Sequence, residues 1–403
     1  MPVHTRIYAS DAIAFGGQPA IDDLIDAGYS GVILWSVHVD WDGTLYLNDT
    51  KIVSSGVYKE TDPMDLPSRL AQLRKKGVEI IFSVGSGGSD VHDFQSIENL
   101  LNGGISGRKP LYDNFKALKD AMMVPDGGDI DAVDFDNEDN IKTEVMVNFG
   151  LMLAEIGFKS VTLCPYDNIQ IWTDTFDQLR SEKGKNFVSA IHLQCYSGGS
   201  INKSPQPWAD MIANQGGDCL LIAGLATNQA QPGPWWDSDT GTPGGSVVTK
   251  PSFAMSGSGD WSRMLRQGNY GAVELAMQAA TTADSFFFYC RSAVNLGPDK
   301  SFQAGDAVYF SGLPQLVSAP TCDTYLLAQN CSNLYNDNMN GACPADLQSQ
   351  YKSWKAESNL DGGFIWLYDS VVSCLLAGCC GGTEQKPTAT AKDYREAITA
   401  GLS

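Results

Sequence analysis

Short apolar runs recur along this chain with helix-like stretches between them, and that rhythm restricts the fold more than any other feature of the sequence. Eight runs read as strands: Arg6–Ala9, Gly31–His38, Val78–Val84, Ile130–Asp136, Ser160–Cys164, Val188–Tyr196, Cys219–Leu225 and Gly363–Tyr368. They are rich in Val, Ile, Leu and Phe and do not strictly alternate with polar residues, which is the pattern of a parallel sheet covered by helices. Pro63–Lys76, Leu111–Met122, Lys142–Ile156 and Thr173–Lys183 carry apolar residues at spacings of three and four, and each is long enough for a crossover. The expected fold is α/β, a (β/α)8 barrel of the TIM type, with an insertion between strands seven and eight.

The gap between the seventh and eighth runs exceeds one βα unit. The chain is therefore divided into residues 1–228, barrel strands one to seven; 229–320, an insertion module; and 321–403, a Cys-rich loop followed by strand eight and the last helix. Gly, Pro, Ser and Trp dominate Gln229–Gly259, a helix-like stretch covers Ala272–Ala280, and Phe286–Ala293 and Asp306–Phe310 read as strands. An insertion at the C-terminal face of a barrel either shapes a substrate cleft or forms an accessory surface module.

Formal net charge is −20, from 47 acidic against 27 basic residues. Such a surface repels nucleic acid and anionic membranes and favours a neutral or cationic partner, a condition that glycans meet. No apolar run is long enough to span a bilayer, and MPVHTRIYASD lacks the features of a signal peptide. The chain thus reads as an intracellular protein or as a mature form without its leader. Six of the ten cysteines, Cys322, Cys331, Cys343, Cys374, Cys379 and Cys380, crowd the C-terminal quarter, far from the four His that a zinc site would need. That crowding predicts disulfides and an extracellular location. Sequons at Asn48, Asn202 and Asn330 occur at about the rate chance supplies.

Asp131-Ala-Val-Asp134-Phe-Asp136-Asn-Glu138 carries the strongest chemical signal. Side chains alternate along a strand, so Asp134, Asp136 and Glu138 share one face, directed into the barrel. Burying three carboxyls together is unfavourable by several kcal/mol unless they share protons or hydrogen bonds, which argues against a purely stabilising role. Repulsion should raise at least one pKa, and Glu138, nearest the open end, is placed to hold a proton for a leaving-group oxygen. The alternatives for such a row are a divalent-cation site or a solvated acidic turn.

Asp131 to Glu138 resembles the DxxDxDxE signature of glycoside hydrolase family 18, the chitinases and endo-β-N-acetylglucosaminidases. Phe82-Ser83-Val-Gly-Ser-Gly-Gly88 is similar to that family's third-strand SxGG motif, with Ser86 where a second Gly is usual. Leu193-Gln194-Cys-Tyr196-Ser197 resembles the sixth strand, whose Gln and Tyr face the substrate. Gly363-Phe-Ile-Trp366-Leu-Tyr-Asp369 resembles the eighth, whose Trp forms the floor under the sugar. The resemblance covers roughly residues 4–228 and 345–400 and leaves the insertion unexplained.

What it implies is retaining hydrolysis of a glycan containing N-acetylhexosamine, with the substrate's 2-acetamido oxygen as nucleophile. Glu138 would protonate the leaving oxygen and later activate water, Asp136 would stabilise the oxazolinium cation, and Asp134 would share a proton with Asp136. Tyr196 would aim the acetamido oxygen, and Trp366, Gln194, Asp131, Ser83, Tyr166 and Trp35 would contact substrate. No metal or cofactor is called for, and the expected partner is an oligo- or polysaccharide. Two other readings share this fold: a lectin-like barrel that binds without cleaving, and a glycosidase for a non-acetylated glycan. Gly85-Ser-Gly-Gly88 lacks the Lys and spacing of a nucleotide loop, and His4, His38, His92 and His192 sit in no recognisable hydrolase context.

Overall fold

A computed structural model describes residues 2–60, 64–87, 91–123, 129–139, 142–196, 200–227, 343–377 and 389–403, with seven short strand segments between 236 and 326. Eight parallel strands close into a barrel: β1 (His4–Ala9), β2 (Gly31–Val39), β3 (Glu79–Val84), β4 (Ala132–Phe135), β5 (Val161–Leu163), β6 (Val188–Gln194), β7 (Leu220–Ala226) and β8 (Gly362–Trp366). Each pairs with its neighbour in chain order, and β8 pairs with β1 to complete the ring. All eight expected strands are present. Crossover helices include Leu66–Lys75, Gly104–Met122, Thr143–Ile156 and Ile169–Lys183. Gly157, left-handed at φ 107°, ends Thr143–Ile156.

The barrel is filled rather than hollow, as its alternating inward residues require. Tyr8, Ile33, Ile81, Ala132, Cys164, Ala190, Ile222 and Phe364 form one buried interior cluster, with Trp35, Tyr196 and Trp366 packed on it. Phe364 fits because β7 carries no side chain at Gly224, where an added Cβ would lie 1.9 Å from the ring. Both residues sit in the paired ladder, so neither backbone can withdraw. Gly224→Ala is therefore expected to destabilise the barrel by about 1–3 kcal/mol through overpacking. Thermal melting should show it, and Gly224→Ala with Phe364→Leu should recover part of the loss.

Between β2 and the next helix the chain makes an excursion that the apolar pattern does not announce. Leu45–Leu47, Thr50–Ser54 and Val57–Tyr58 add three antiparallel strands beside β2. Their last turn is Ser55-Gly56, with φ of 52° and 71°, a two-residue hairpin turn.

Contacts divide the chain into two compact units: 1–226 with 342–368 and 391–403, and 227–341 with 369–390. In the second, Phe286–Cys290 pairs antiparallel with Ala307–Phe310 and Tyr325–Leu326, a sheet separate from the barrel. The helix-like stretch Ala272–Ala280 lies outside the described residues, as does most of Gln229–Gly259. So do most of the cysteines crowded near the C-terminus; among the described residues Cys164, Cys195 and Cys219 are free thiols, and Cys343 is not one of them. Two sequons are used internally. Asn202 is fully buried and donates to the Pro165 and Tyr166 carbonyls, and the Asn48 amide bonds Ser36, Ser10 and Asp11, so neither is free to carry a glycan in the folded protein. Asn330 lies outside the described residues.

No helix among the described residues is long and apolar enough to cross a membrane.

Candidate active site

Strand β4 brings its carboxyls to three depths. Asp134 lies at the bottom with no exposure, Asp136 above it at 2 %, and Glu138 half-buried where the strand has ended. The acids can sit here because donors meet them. Tyr8 Oη and Ser83 Oγ donate to Asp134 Oδ2 at 2.8 and 3.0 Å, while Thr162 Oγ1 and His192 Nδ1 reach Oδ1 at 2.5 and 2.7 Å. Trp35 Nε1 and Gln194 Nε2 each approach Asp136 at 2.9 Å, one on each oxygen. Gln194 Nε2 also reaches Glu138 Oε1 at 3.3 Å.

The three titrations diverge accordingly. Burial works against ionisation of Asp134, but His192, Thr162 and Tyr8 outweigh it and hold this carboxyl below its usual range. Burial pushes Asp136 well above that range, and the charges of Glu138 and Asp134 push further, against the bonds from Trp35 and Cys164. Glu138 is raised by burial and by Asp139, with Gln194 opposing. The four side-chain bonds that hold Asp134 come from four other strands, β1, β3, β5 and β6. The same bonds answer the cation-site alternative: lone pairs aimed at O–H and N–H donors are not presented to a metal.

The third-strand motif is explained by proximity. A Cβ on Gly87 would lie 2.1 Å from Glu138 Oε2, and one on Gly85, whose φ is +101°, would lie 2.2 Å from the Asp136 carbonyl oxygen. Only glycine lets this loop cross the end of β4 so closely. Ser86 is buried beside them, its hydroxyl turned to the Gly87 carbonyl.

Aromatic rings line the mouth above the row. Trp366 stands edge-on to Trp35 at 4.6 Å and is stacked with Tyr196 at 5.7 Å, with Tyr8 at 5.3 Å on its inner side. The Trp35–Ser36 and Trp366–Leu367 peptide bonds are cis. Of the residues expected to contact substrate, the structure thus gathers Trp35, Gln194, Tyr196 and Trp366 around Asp136 and Glu138.

It places Asp131 and Ser83 elsewhere. Asp131 belongs to the opposite face of its strand, below the barrel, where it accepts from the Ile80 N–H at 2.8 Å and pairs with Arg74; it holds β3 to β4 and does not reach the mouth. Ser83 is fully buried beneath the row and acts on Asp134. Tyr166 follows β5, half-buried, and its carbonyl receives Asn202. His38 is tied to Asp93 at 2.8 Å.

Three residues of the site, Tyr8, Thr162 and His192, carry no motif of their own. Strand parity could have found two of them: His192 precedes Gln194 by two, and Thr162 lies two before Cys164.

Among solved structures the chain is similar to a chitinase of Rhizomucor miehei, at a TM-score of 0.47 and 12% identity, over 98% of this chain and 99% of that one. It is also similar to the GH18 chitinase ChiB of Flavobacterium johnsoniae, at 0.46 and 10%, over 98% and 93%. A third likeness is to the spore cortex-lytic enzyme SleL of Bacillus megaterium, at 0.44 and 8%, over 98% and 74%. No protein-family model matches the chain, and no curated protein matches it. The fold stands on the strand order itself, an eight-stranded parallel ring with helical crossovers, which is a (β/α)8 barrel.

Proposed function

We propose that this chain is a retaining glycoside hydrolase for a glycan containing N-acetylhexosamine, working through the substrate's own acetamido group. The observation that carries the reading is the pairing of Glu138, a half-buried carboxyl raised toward the protonated form, with Asp136, pinned beneath it by Trp35 and Gln194. An acid at the mouth and a fixed carboxyl under it suit a reaction that releases an oxygen leaving group and develops positive charge.

In the first step the acetamido oxygen bonds to the anomeric carbon as the glycosidic C–O bond breaks, and Glu138 gives its proton to the departing oxygen. Ionised Glu138 then takes a proton from water, which opens the oxazolinium ring with net retention. Asp136 is the group assigned to meet the acetamido nitrogen as charge builds there. Tyr196 is the group assigned to aim the acetamido oxygen, and Trp366 the floor beneath the sugar.

A thiazoline mimic of the cyclised intermediate should inhibit competitively. Tyr196→Phe should weaken turnover and thiazoline affinity together, each by about tenfold, the worth of one hydrogen bond to a charged centre. An enzyme nucleophile would have to be a carboxylate near another strand end, Asp40 after β2, Asp167 after β5 or Asp369 after β8, and covalent labelling of one of these by a 2-deoxy-2-fluoro glycoside would overturn the acetamido mechanism. Glycan binding by the wild type without any cleavage would leave a lectin-like barrel.

A further inference from the structure

Beneath the acid row a line of groups that the reaction above does not use runs inward from a partly exposed Glu79 to the buried Arg6 and His192. Glu79 Oε2 accepts from Arg6 Nη2 at 2.7 Å, Arg6 Nη1 lies 2.5 Å from His192 Nε2, and His192 Nδ1 lies 2.7 Å from Asp134 Oδ1. Arg6 is 2% exposed and His192 not at all. Interior charge of this kind is costly and calls for a role.

The chemistry of the line fixes its protons. A guanidinium has donors only, so the His192 Nε2 atom must be the acceptor of the Arg6 contact. The ring proton is then on Nδ1 and points at Asp134. A second proton on the ring would face Arg6 head-on, and burial likewise holds His192 below its ordinary range. Around Asp134 the other facing groups are Tyr8 from β1, Ser83 from β3, Thr162 and Cys164 from β5, and Asp136 with Glu138 from its own strand. Of these, Tyr8 and Cys164 are pushed far up by burial and stay neutral, so the titrating neighbours are Asp136 and Glu138.

We propose that His192 is a positioning residue, locked by Arg6 as the neutral Nδ1–H tautomer, which keeps Asp134 an anion and confines the working protons of the site to Asp136 and Glu138. Its consequence for turnover rests on the glycosidase reading; its tautomer does not.

Two amides dissect the ring. Asn at 192 offers an N–H near the place of Nδ1, toward Asp134; Gln reaches toward Arg6 and leaves Asp134 short of one donor. With that donor gone, Asp134 takes a proton more readily, so the acidic limb of kcat should move to higher pH. His192→Asn is expected to keep kcat within about threefold, and His192→Gln to lose about tenfold or more in kcat with KM little changed. Equal losses in both, with an unmoved pH profile, would show a merely structural histidine and overturn the proposal.

The second measurement needs no turnover and reads the wild-type ring itself. The chain has four histidines, and ring 15N shifts of the wild type can be assigned to His192 by its absence in His192→Asn. The expected signature is a neutral Nδ1–H ring that does not titrate between about pH 5 and 8. An Nε2–H ring, or titration in that interval, would overturn the proposal. If no glycan is cleaved, the glycosidase reading fails while the tautomer still decides whether His192 holds Asp134 in this way.

Discussion

Glu138→Gln is expected to fold as the wild type does and to lose on the order of 10²–10⁴ in turnover, the usual worth of general acid–base catalysis. Glutamine has nearly the shape of the carboxyl, and its carbonyl oxygen can accept the one long bond, 3.3 Å, that Gln194 now makes to Glu138. Nothing structural hangs on the charge, because the group is half-buried at the end of its strand. What is lost is a removable proton. The same residue sets the direction of a pH effect: a carboxyl raised by burial stays protonated to higher pH than an ordinary glutamate, so kcat/KM should fall on the alkaline side as Glu138 ionises. That limb should be absent from whatever activity Glu138→Gln retains. Digestion of a glycan panel by both proteins, beside thermal melts, checks the whole statement. A variant that fails to fold would make Glu138 structural, and undiminished turnover would remove it from the chemistry.

The barrel was legible in the sequence because strands covered by helices are apolar on both faces, and such runs stand out against amphipathic helices. Strand ends were less so. β4 was expected to run through Asp136 and is paired only to Phe135, and β6 was expected to reach Tyr196 and stops at Gln194. The ladder fades at the mouth, where side chains turn toward the centre and loops take over, yet the alternation persists: the Asp136 N–H still reaches the Val84 carbonyl, and Asp136 and Gln194 both face inward. Parity therefore located the acids although the boundaries were off by a residue or two.

The spacing of a motif, by contrast, says nothing about face. Asp131 is three residues from Asp134, an odd step, and a strand sends it to the opposite side. The hairpins after β2 escaped notice because strands of two to five residues give too little alternation to register, though Ser55-Gly56 is a turn signal. What the sequence does not show is that these residues meet Asp134: Tyr8, Ser83, Thr162 and His192 lie on four strands far apart in the chain, and only closure of the ring assembles them.

Asp136→Asn should separate stability from activity. Asp136 is fully buried and its pKa is raised by burial first and then by Glu138 and Asp134, so the folded state binds a proton that the unfolded chain releases earlier. For a carboxyl raised in this way, the cost of ionising it inside the protein appears as pH rises above the unfolded value and grows until the folded pKa is passed. Each pKa unit corresponds to about 1.4 kcal/mol. Asparagine is neutral at every pH and removes that cost. It can keep the contacts as well: its oxygen accepts from Trp35, while its amide donates to Gln194 once that side chain turns its own oxygen inward. The variant should therefore melt higher near neutral pH, by roughly 1–2 °C for each kcal/mol recovered in a chain of this length, with the difference vanishing in acid. Its turnover should fall by about 10²–10³, because the neutral amide no longer meets the charge that develops beside it. Melting curves across pH, set beside kcat, read both effects from one protein. A variant less stable than wild type at neutral pH would mean that Trp35, Gln194 and Cys164 hold an ionised Asp136 more firmly than burial opposes it, and the division of labour within the row would have to be redrawn.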